Sequence, residues 1–408
     1  MAAAESLDVR LCDRDPAPTV GRLLDVGDGP YFEYDPAFRA LGVQLSPLAL
    51  PLREGAHPPG PRALHRLRGL FADSIPDGWG LKVLHQALRE SGVDPFRASP
   101  LSLLRAVGRR GMGALAYQPA QDVWGRVADG LDLESLAADA LRLDAEMIDA
   151  LPAGMKRAAG TSGGVRPKLT VAWNDDGRIH DAALPLRAGF RHVLIKFRAR
   201  TDSPALPAIE SAYLEMARAA GLEVPQAQVW HLESGEDALI VDRFDRVGDE
   251  PRHVQTLAAL LELDPANDLA DYGHLLEVAR RLTGSFTQVL QALRLAAFNV
   301  YAGNRDDHTR NVAFLMSPSG TWTLAPAYDL TWTERGTGYH AMSVDGESRA
   351  PGTRHLQRIA VAAGLDLPQA SDVLADVRRA VSRWPEFAEG ADVPESWVRR
   401  ISSGLAVS

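Results

Sequence analysis

Cysteine is almost absent from this chain of 408 residues: Cys12 is the single one. That excludes an intrachain disulfide framework and fits a reducing cytoplasm. Cys12 itself reads most simply as a small apolar side chain. Long apolar runs are also missing. No stretch approaches the length of a membrane span. The opening MAAAESLDVRLCDRDPAP carries no apolar core of a secretory signal, so we expect a cytoplasmic protein with no membrane association. Aromatic residues are only 7% of the chain, yet 46% hydrophobic and 24% charged residues exclude wholesale disorder. An excess of positive charge is lacking: the formal net charge of −9 argues against unaided, nonspecific DNA binding. Local basic groups exist, Arg187 to Arg200 and Arg105 to Arg110, and a solvated face accounts for either. Repeats and low-complexity tracts are absent.

The length exceeds one comfortable core, so two or three domains are expected. Residues 1 to about 60 read as short strands and turns, with Val20–Leu24 and Tyr31–Tyr34 as antiparallel neighbours across Gly27-Asp28-Gly29-Pro30. Helical stretches begin at Arg62–Gly69, Leu81–Ser91, Leu101–Val107 and Leu131–Leu151. Strands follow at Leu169–Trp173, His192–Phe197, Val229–His231 and Ala238–Val241, with a helix at Ile209–Ala220 that Gly221 ends. After about residue 254 the pattern turns helical: Thr256–Leu263, Tyr272–Thr283, Phe286–Tyr301, Thr353–Ala363, Ala370–Arg383 and Pro394–Ile401.

One segment interrupts this helical half. Gly303-Asn304-Arg305-Asp306-Asp307-His308-Thr309-Arg310-Asn311 precedes a strand, Val312–Leu315; a turn at Ser317–Gly320 and a returning strand lead to Ala325-Pro326-Ala327-Tyr328-Asp329. A kinase needs a carboxylate to take the proton of a hydroxyl nucleophile. It also needs an amide oxygen and a second carboxylate to hold Mg²⁺ on the nucleotide phosphates. Asp306 and Asn311 have the base-to-asparagine spacing of H-R-D-x-x-x-x-N, and a hairpin would return Asp329 to Asn311. A polar loop that satisfies its own hydrogen bonds is the bland reading of the same residues. His308 by itself reads as a loop-fastening side chain, because Mg²⁺ prefers oxygen.

Further pieces stand upstream. Thr161-Ser162-Gly163-Gly164 precedes a strand; glycines let backbone N–H groups approach phosphate, or simply make a turn. This loop lacks the G-x-x-x-x-G-K-[ST] spacing of a Walker P-loop. Lys196 lies within the apolar strand Val193-Leu194-Ile195-Lys196-Phe197, where a buried ammonium needs a partner, and Glu210 on the next helix is the nearest candidate. A strand-edge lysine reaching solvent is the alternative. Val241-Asp242-Arg243-Phe244-Asp245-Arg246 falls where a hinge between lobes belongs, or is a salt-bridged linker. These weak signals gain weight from their order along the chain.

In this order the residues resemble the HipA-like serine/threonine kinases, the toxin halves of bacterial toxin–antitoxin pairs. The matching pieces are Tyr34-Asp35-Pro36 with Leu45-Ser46-Pro47-Leu48, Ser74-Ile75-Pro76-Asp77-Gly78-Trp79-Gly80, Gly163–Lys168, Ile195-Lys196-Phe197, Glu210 with Ala220–Pro225, Arg243–Arg246, Gly303–Asn311 and Ala325–Leu330. The resemblance implies an α+β, bilobal kinase-like fold. Its N-terminal lobe is mixed α/β with a small β subdomain, its C-terminal lobe is all-helical, and ATP and Mg²⁺ lie between them. We accordingly divide the chain at 1–125, 126–254 and 255–408. The resemblance makes Asp306 the catalytic base and Asn311 and Asp329 the magnesium ligands. It makes Lys196, paired with Glu210, the phosphate-gripping lysine, and Asp242, Arg243 and Phe244 the adenine hinge. His308 joins the nucleotide-binding set. Gly163, Gly164 and Lys168 belong to the phosphate loop, whose regulatory serine in relatives is replaced by Thr161, with Ser162 beside it. Asp307 could accept the proton or only organise the loop. The resemblance further implies a protein substrate such as an aminoacyl-tRNA synthetase, growth arrest and persistence, and a HipB-like helix-turn-helix antitoxin through which DNA is contacted indirectly. The competing readings are a lipid or small-molecule kinase, since phosphoinositide-type kinases share a similar Asp-x-His-x-x-Asn arrangement, and a non-catalytic nucleotide-binding scaffold. Polybasic or amphipathic membrane-binding segments, which would favour the lipid kinase, are not found.

Overall fold

Alternation with a period of two builds the first layer. In Glu5–Leu11 (β1) Leu7, Val9 and Leu11 are buried and their neighbours face outward. Thr19–Asp25 (β2), Pro30–Tyr34 (β3) and Leu115–Gln118 (β4) complete an antiparallel sheet of order β3-β2-β1-β4. The computed structural model describes residues 5–125, 131–145, 152–159, 163–264, 267–333 and 338–407. Thr161 and Ser162 lie outside the described residues, as does the end of the helix expected to run to Leu151. Two helices follow in this part, Gly78–Glu90 (α1), which packs against the later helix Ala153–Ala159, and Pro100–Val107 (α2), which lies against β1 and β4. Ser99 caps α2 by accepting the Ser102 N–H at 3.0 Å, with Pro100 at the first helical position. The helix expected from Arg62 is a correction: only Arg62–Leu64 forms a 3-10 turn, because His65 and Arg66 both take positive φ and reverse the chain. A separate short helix at Gly69–Ala72 follows.

The helices Leu133–Ala145 (α3) and Ala153–Ala159 (α4) lead into the central sheet. Its strands are Lys168–Trp173 (β5), Ile179–Asp181 (β6), Arg191–Phe197 (β7), Ala227–His231 (β8) and Asp237–Asp242 (β9), ordered β6-β5-β7-β9-β8 and antiparallel throughout. Helix Leu206–Ala219 (α5), which precedes β8, packs on the β8–β9 side of this sheet. The register sets Lys168 directly opposite Lys196, so two ammonium groups share one rung and one face. Like charges so placed repel unless acids intervene.

His253–Thr256 (β10) and Leu257–Leu261 (α6) open the last part. Tyr272–Thr283 (α7) and Phe286–Ala302 (α8) follow, then the hairpin Ala313–Met316 (β11) and Trp322–Leu324 (β12). The hairpin expected from the sequence gains a third strand, since β10 pairs antiparallel with β11 from His253↔Met316 to Thr256↔Ala313. The division after residue 254 falls inside that strand. Thr353–Ala362 (α9), Leu367–Val381 (α10), Trp384–Gly390 (α11) and Glu395–Ser402 (α12) complete the chain, with α8 at their centre against α7, α9 and α10.

Buried polar contacts join these parts. The Tyr213 hydroxyl of α5 donates to Ala302 O of α8 at 2.7 Å, and Trp384 packs on the Tyr213 ring at 5.2 Å. Asp245, fully buried, accepts from Arg243 (2.9 and 2.7 Å), from Arg246 (2.6 Å) and from the Gly113 N–H (2.8 Å), tying the segment after β9 to the N-terminal subdomain. Burial would raise its carboxyl pKa, but the two guanidinium groups outweigh burial and hold it well below the usual range.

Two outcomes follow for stability. Asp245→Ala leaves two buried guanidinium groups unmatched and costs about 3–5 kcal/mol in a denaturant titration; a loss under about 1 kcal/mol contradicts the clamp. His57, His192 and His253 are pushed down to about 4, chiefly by burial. The unfolded chain takes up these protons near pH ~6.5, whereas the fold resists them until about pH 4, so stability drops as pH falls through that window. The denaturant midpoint is expected to decline between pH 7 and 5, and a flat midpoint contradicts neutral burial.

Candidate active site between the lobes

Lys196, on β7, is enclosed: its side chain is 13% exposed. Its ammonium donates both to Glu210 of α5 and to Asp329, which follows β12. Glu210 comes from the next helix and Asp329 from 133 residues further along, so the contact fixes α5 and the post-hairpin loop onto the central sheet. Burial alone would lower the lysine pKa, but Asp329 and Glu210 overcome it and hold the group charged above its ordinary range. Asp329 is held well below the carboxylate range, because Lys196 and Lys168 outweigh its own desolvation. It is thus ionised, and it takes φ 52°, the left-handed region that non-glycine residues rarely occupy.

Lys168 differs from its rung partner. Burial pushes its pKa down, and Lys196 adds to this against the pull of Asp329. Its ammonium has no hydrogen-bond partner among the described residues. Gly164 takes φ 97°, a conformation that favours glycine, and its backbone passes so close to the ammonium that a Cβ would come within 2.5 Å of Lys168 Nζ. Gly163 and Gly164, Lys168, Lys196, Glu210 and Asp329 therefore occupy one neighbourhood.

The loop from Asn304 to Asn311 rests on a buried relay. Asn304 Nδ2 donates to Asn299 Oδ1 (3.0 Å), Asn299 Nδ2 to the Tyr272 hydroxyl (2.8 Å), and that hydroxyl to Asp307 (2.9 Å). Asp307 also accepts from His340 Nδ1 (2.9 Å) and the Ala341 N–H (2.7 Å), and its side chain is 0% exposed. A carboxylate so occupied organises the loop and has no face left for a substrate. Asp306 beside it is 58% exposed, with His308 Nε2 3.9 Å away. The N–H groups of Arg305 and Asp306 donate to Thr333 Oγ1 (3.1 and 3.2 Å). Asn311 Nδ2 donates to Asp306 O at 2.8 Å, which leaves its amide oxygen as the open acceptor. Asn304 Oδ1, His308 Nδ1 and Thr309 Oγ1 are buried without a partner among the described residues. Such atoms are costly unless a ligand or water engages them.

At the end of β9 and in the segment expected to form the hinge, the side chains of Asp242 and Arg243 are already engaged, by Arg191 (2.8 Å) and by Asp245. Their N–H groups donate to Gln226 O and His192 O. What remains is Phe244, whose N–H has no partner among the described residues and whose ring packs on Tyr328 at 5.4 Å. Three residues escaped assignment from sequence. Arg166 is gripped by Asp202 (2.7 and 3.3 Å), with Asp306 among the carboxylates that raise its pKa. Asp77 and Arg310 form an ion pair at 2.5 Å. Each lay inside a quoted motif, and that position was the available signal. A separate cavity of about 440 Å³ lies between α5, β8 and α11, and three of its four carboxylates, Glu215, Asp237 and Glu386, are paired with Arg218, His231 and Arg383, Asp392 being the fourth. It is not continuous with this chemistry.

Comparison with known proteins agrees with the geometry. Residues 14–118 match the family model described as the HipA N-terminal domain, and residues 160–384 match the HipA-like C-terminal domain. The chain is 22% identical over 386 residues to the serine/threonine-protein kinase toxin HipA of Shewanella oneidensis, covering 86% of this chain and 82% of that protein. It is 28% identical over 304 residues to the putative kinase Y4mE of Sinorhizobium fredii, covering 70% and 68%. The structure of Shewanella oneidensis HipA with HipB and operator DNA superposes with a TM-score of 0.71 at 20% identity, over 98% of this chain and 95% of that one.

The neighbouring carboxylates should separate in stability. Asp307→Ala strands Tyr272, His340 and the Ala341 N–H and costs about 2–4 kcal/mol. Asp306→Asn, at an exposed position, stays within about 0.5 kcal/mol. Equal effects in thermal unfolding would contradict the assignment of Asp307 as the anchor.

Proposed function

This chain belongs to the HipA-like family, and on that footing we propose that it is a Mg-ATP-dependent serine/threonine protein kinase, the toxin of a toxin–antitoxin pair. The observation that carries the reading is the convergence of Lys196, Glu210 and Asp329 beside a loop that exposes Asp306 and buries Asp307. Asp306 is the base that accepts the hydroxyl proton of a serine or threonine. Lys196, kept charged by two carboxylates, and Lys168, whose ammonium has no hydrogen-bond partner among the described residues, attract the nucleotide phosphates. The Gly163-Gly164 backbone lies against them. Phe244 offers an open N–H and an aromatic face for adenine, whereas Asp242 and Arg243 act as the struts of the hinge.

The donor set suits magnesium. Asn311 has a free amide oxygen and Asp329 is ionised at neutral pH, as a ligand must be. When bound, the ion would neutralise charge developing on the phosphates, held by Asn311 and Asp329. His308 stands beside them as a polar wall of the site.

The wider role follows from the family and is part of the same proposal. The substrate is a translation-related protein such as an aminoacyl-tRNA synthetase, and its phosphorylation arrests growth and promotes persistence. A HipB-like helix-turn-helix antitoxin restrains the toxin and makes the DNA contact, in keeping with a net charge of −9 on this chain. No described helix is long and apolar enough to cross a membrane; the proposed setting is the cytoplasm. Self-phosphorylation at Thr161 or Ser162 belongs to this reading as a question for mass spectrometry of the purified protein.

The test is transfer of labelled phosphate from ATP to proteins of a cell lysate. Wild type should label a protein on serine or threonine. Asp306→Asn should reduce the rate by about 10²–10⁴-fold, the worth of a general base, and Asp329→Ala should abolish the Mg²⁺ dependence of ATP binding. Label appearing in lipid or a small alcohol, or full activity of Asp306→Asn, refutes the proposal.

A further inference from the structure

Segments from three parts of the fold meet at one carboxylate. Asp77 stands in the turn that precedes α1 in the N-terminal subdomain. One of its oxygens accepts the Gly164 N–H, 87 residues away in the chain. The other accepts Arg310 Nη1 at 2.5 Å, 233 residues away, within the loop between Asp306 and Asn311. The same turn adds a backbone bond, the Trp79 N–H donating to Gly164 O at 2.7 Å. Packing here leaves no room for side chains. A Cβ on Gly78 would strike the Gly164 carbonyl, and a Cβ on Gly163 would lie 2.6 Å from Asp77 Oδ1. Arg310 is fixed from its other end, because the Tyr328 hydroxyl donates to its carbonyl at 2.6 Å.

A surface ion pair contributes little to stability, and Asp77 could be dismissed as one. Its contacts argue otherwise. It holds a backbone N–H of the glycine loop and a guanidinium of the catalytic loop simultaneously, and both bonds are charge-assisted. The carboxyl is held below its ordinary range because Arg310, the Gly164 N–H and Lys168 together outweigh its desolvation.

We propose that Asp77 is a positioning residue for phosphoryl transfer, pinning the Gly163-Gly164 loop to Arg310 of the catalytic loop so that nucleotide phosphates meet a loop already in place. The proposal rests on the kinase reading for its catalytic meaning, but not for its geometry. It gives the N-terminal subdomain a part in nucleotide binding without any contact of its own with the nucleotide. It also makes Arg310 a strut rather than a phosphate ligand.

The experiment combines amide hydrogen exchange of the full-length protein with ATP kinetics. In Asp77→Asn, exchange in the 163–166 segment should accelerate and the KM for ATP should rise, each by about tenfold, the worth of one lost charge-assisted bond. The kcat at saturating ATP should change far less, and exchange in β1–β3 should not change. Arg310→Lys should preserve most of the wild-type KM, Arg310→Gln should raise it, and Asp77→Asn with Arg310→Gln should be no worse than the poorer single variant. Unchanged exchange at 163–166 overturns the proposal. So does uniform acceleration across the subdomain, or multiplicative penalties in the double variant. If wild type transfers no phosphate at all, the kinase reading fails, while the exchange result still decides whether Asp77 holds the loop.

Discussion

A buried ammonium dictates the arrangement of this molecule. Lys196 lies on the middle strand of the central sheet, its side chain enclosed, and cannot stay charged there alone. Its solution draws in Glu210 from the helix behind and Asp329 from beyond the hairpin. Because Lys168 occupies the same rung, the site holds two cations against two carboxylates, and the second cation has no hydrogen-bond partner among the described residues. A buried ammonium beside a glycine loop is an electrostatic invitation to phosphate, and the left-handed Asp329 suggests that backbone strain is accepted to bring its carboxylate there.

Charge placement in the loop from Asn304 to Asn311 follows a different logic. Asp306 and Asp307 are chemically identical neighbours, and the fold separates their roles by burial. Asp307 ends a chain of donors running from Asn304 through Asn299 and Tyr272, and receives His340 and a backbone N–H besides. Its fixed position holds the loop while Asp306 stays exposed. A site of this kind needs one rigid acid to keep the other free.

Much of this was legible in local pattern. A lysine in an apolar strand, a glutamate on the following helix and an acid five residues before an asparagine are short-range signals, and the structure brings Lys196 and Glu210 into contact. Strands and helices with clear periodicity were legible for the same reason. What was not legible depends on distant partners. The strand His253–Thr256 is too short and too polar to stand out, and exists because β11 supplies its hydrogen bonds. The short helix Trp384–Gly390 is defined by Trp384 packing on Tyr213 rather than by its own propensity. The stretch from Arg62 has helix-forming composition, yet positive φ at His65 and Arg66 turns it back. The role of Asp307 and the junction of Asp77 with Gly164 and Arg310 require contacts that no window of sequence displays.

The central claim is that one cleft gathers these charges for a metal-bound nucleotide. A crystal structure with Mg²⁺ and a non-hydrolysable ATP analogue tests it most directly. The account predicts the ion held by Asn311 and Asp329, the phosphates against Lys168 and Lys196, and the Asp306 carboxylate facing the terminal phosphate. A nucleotide seated in the cavity between α5 and α11, or an ion that touches neither Asn311 nor Asp329, would contradict it.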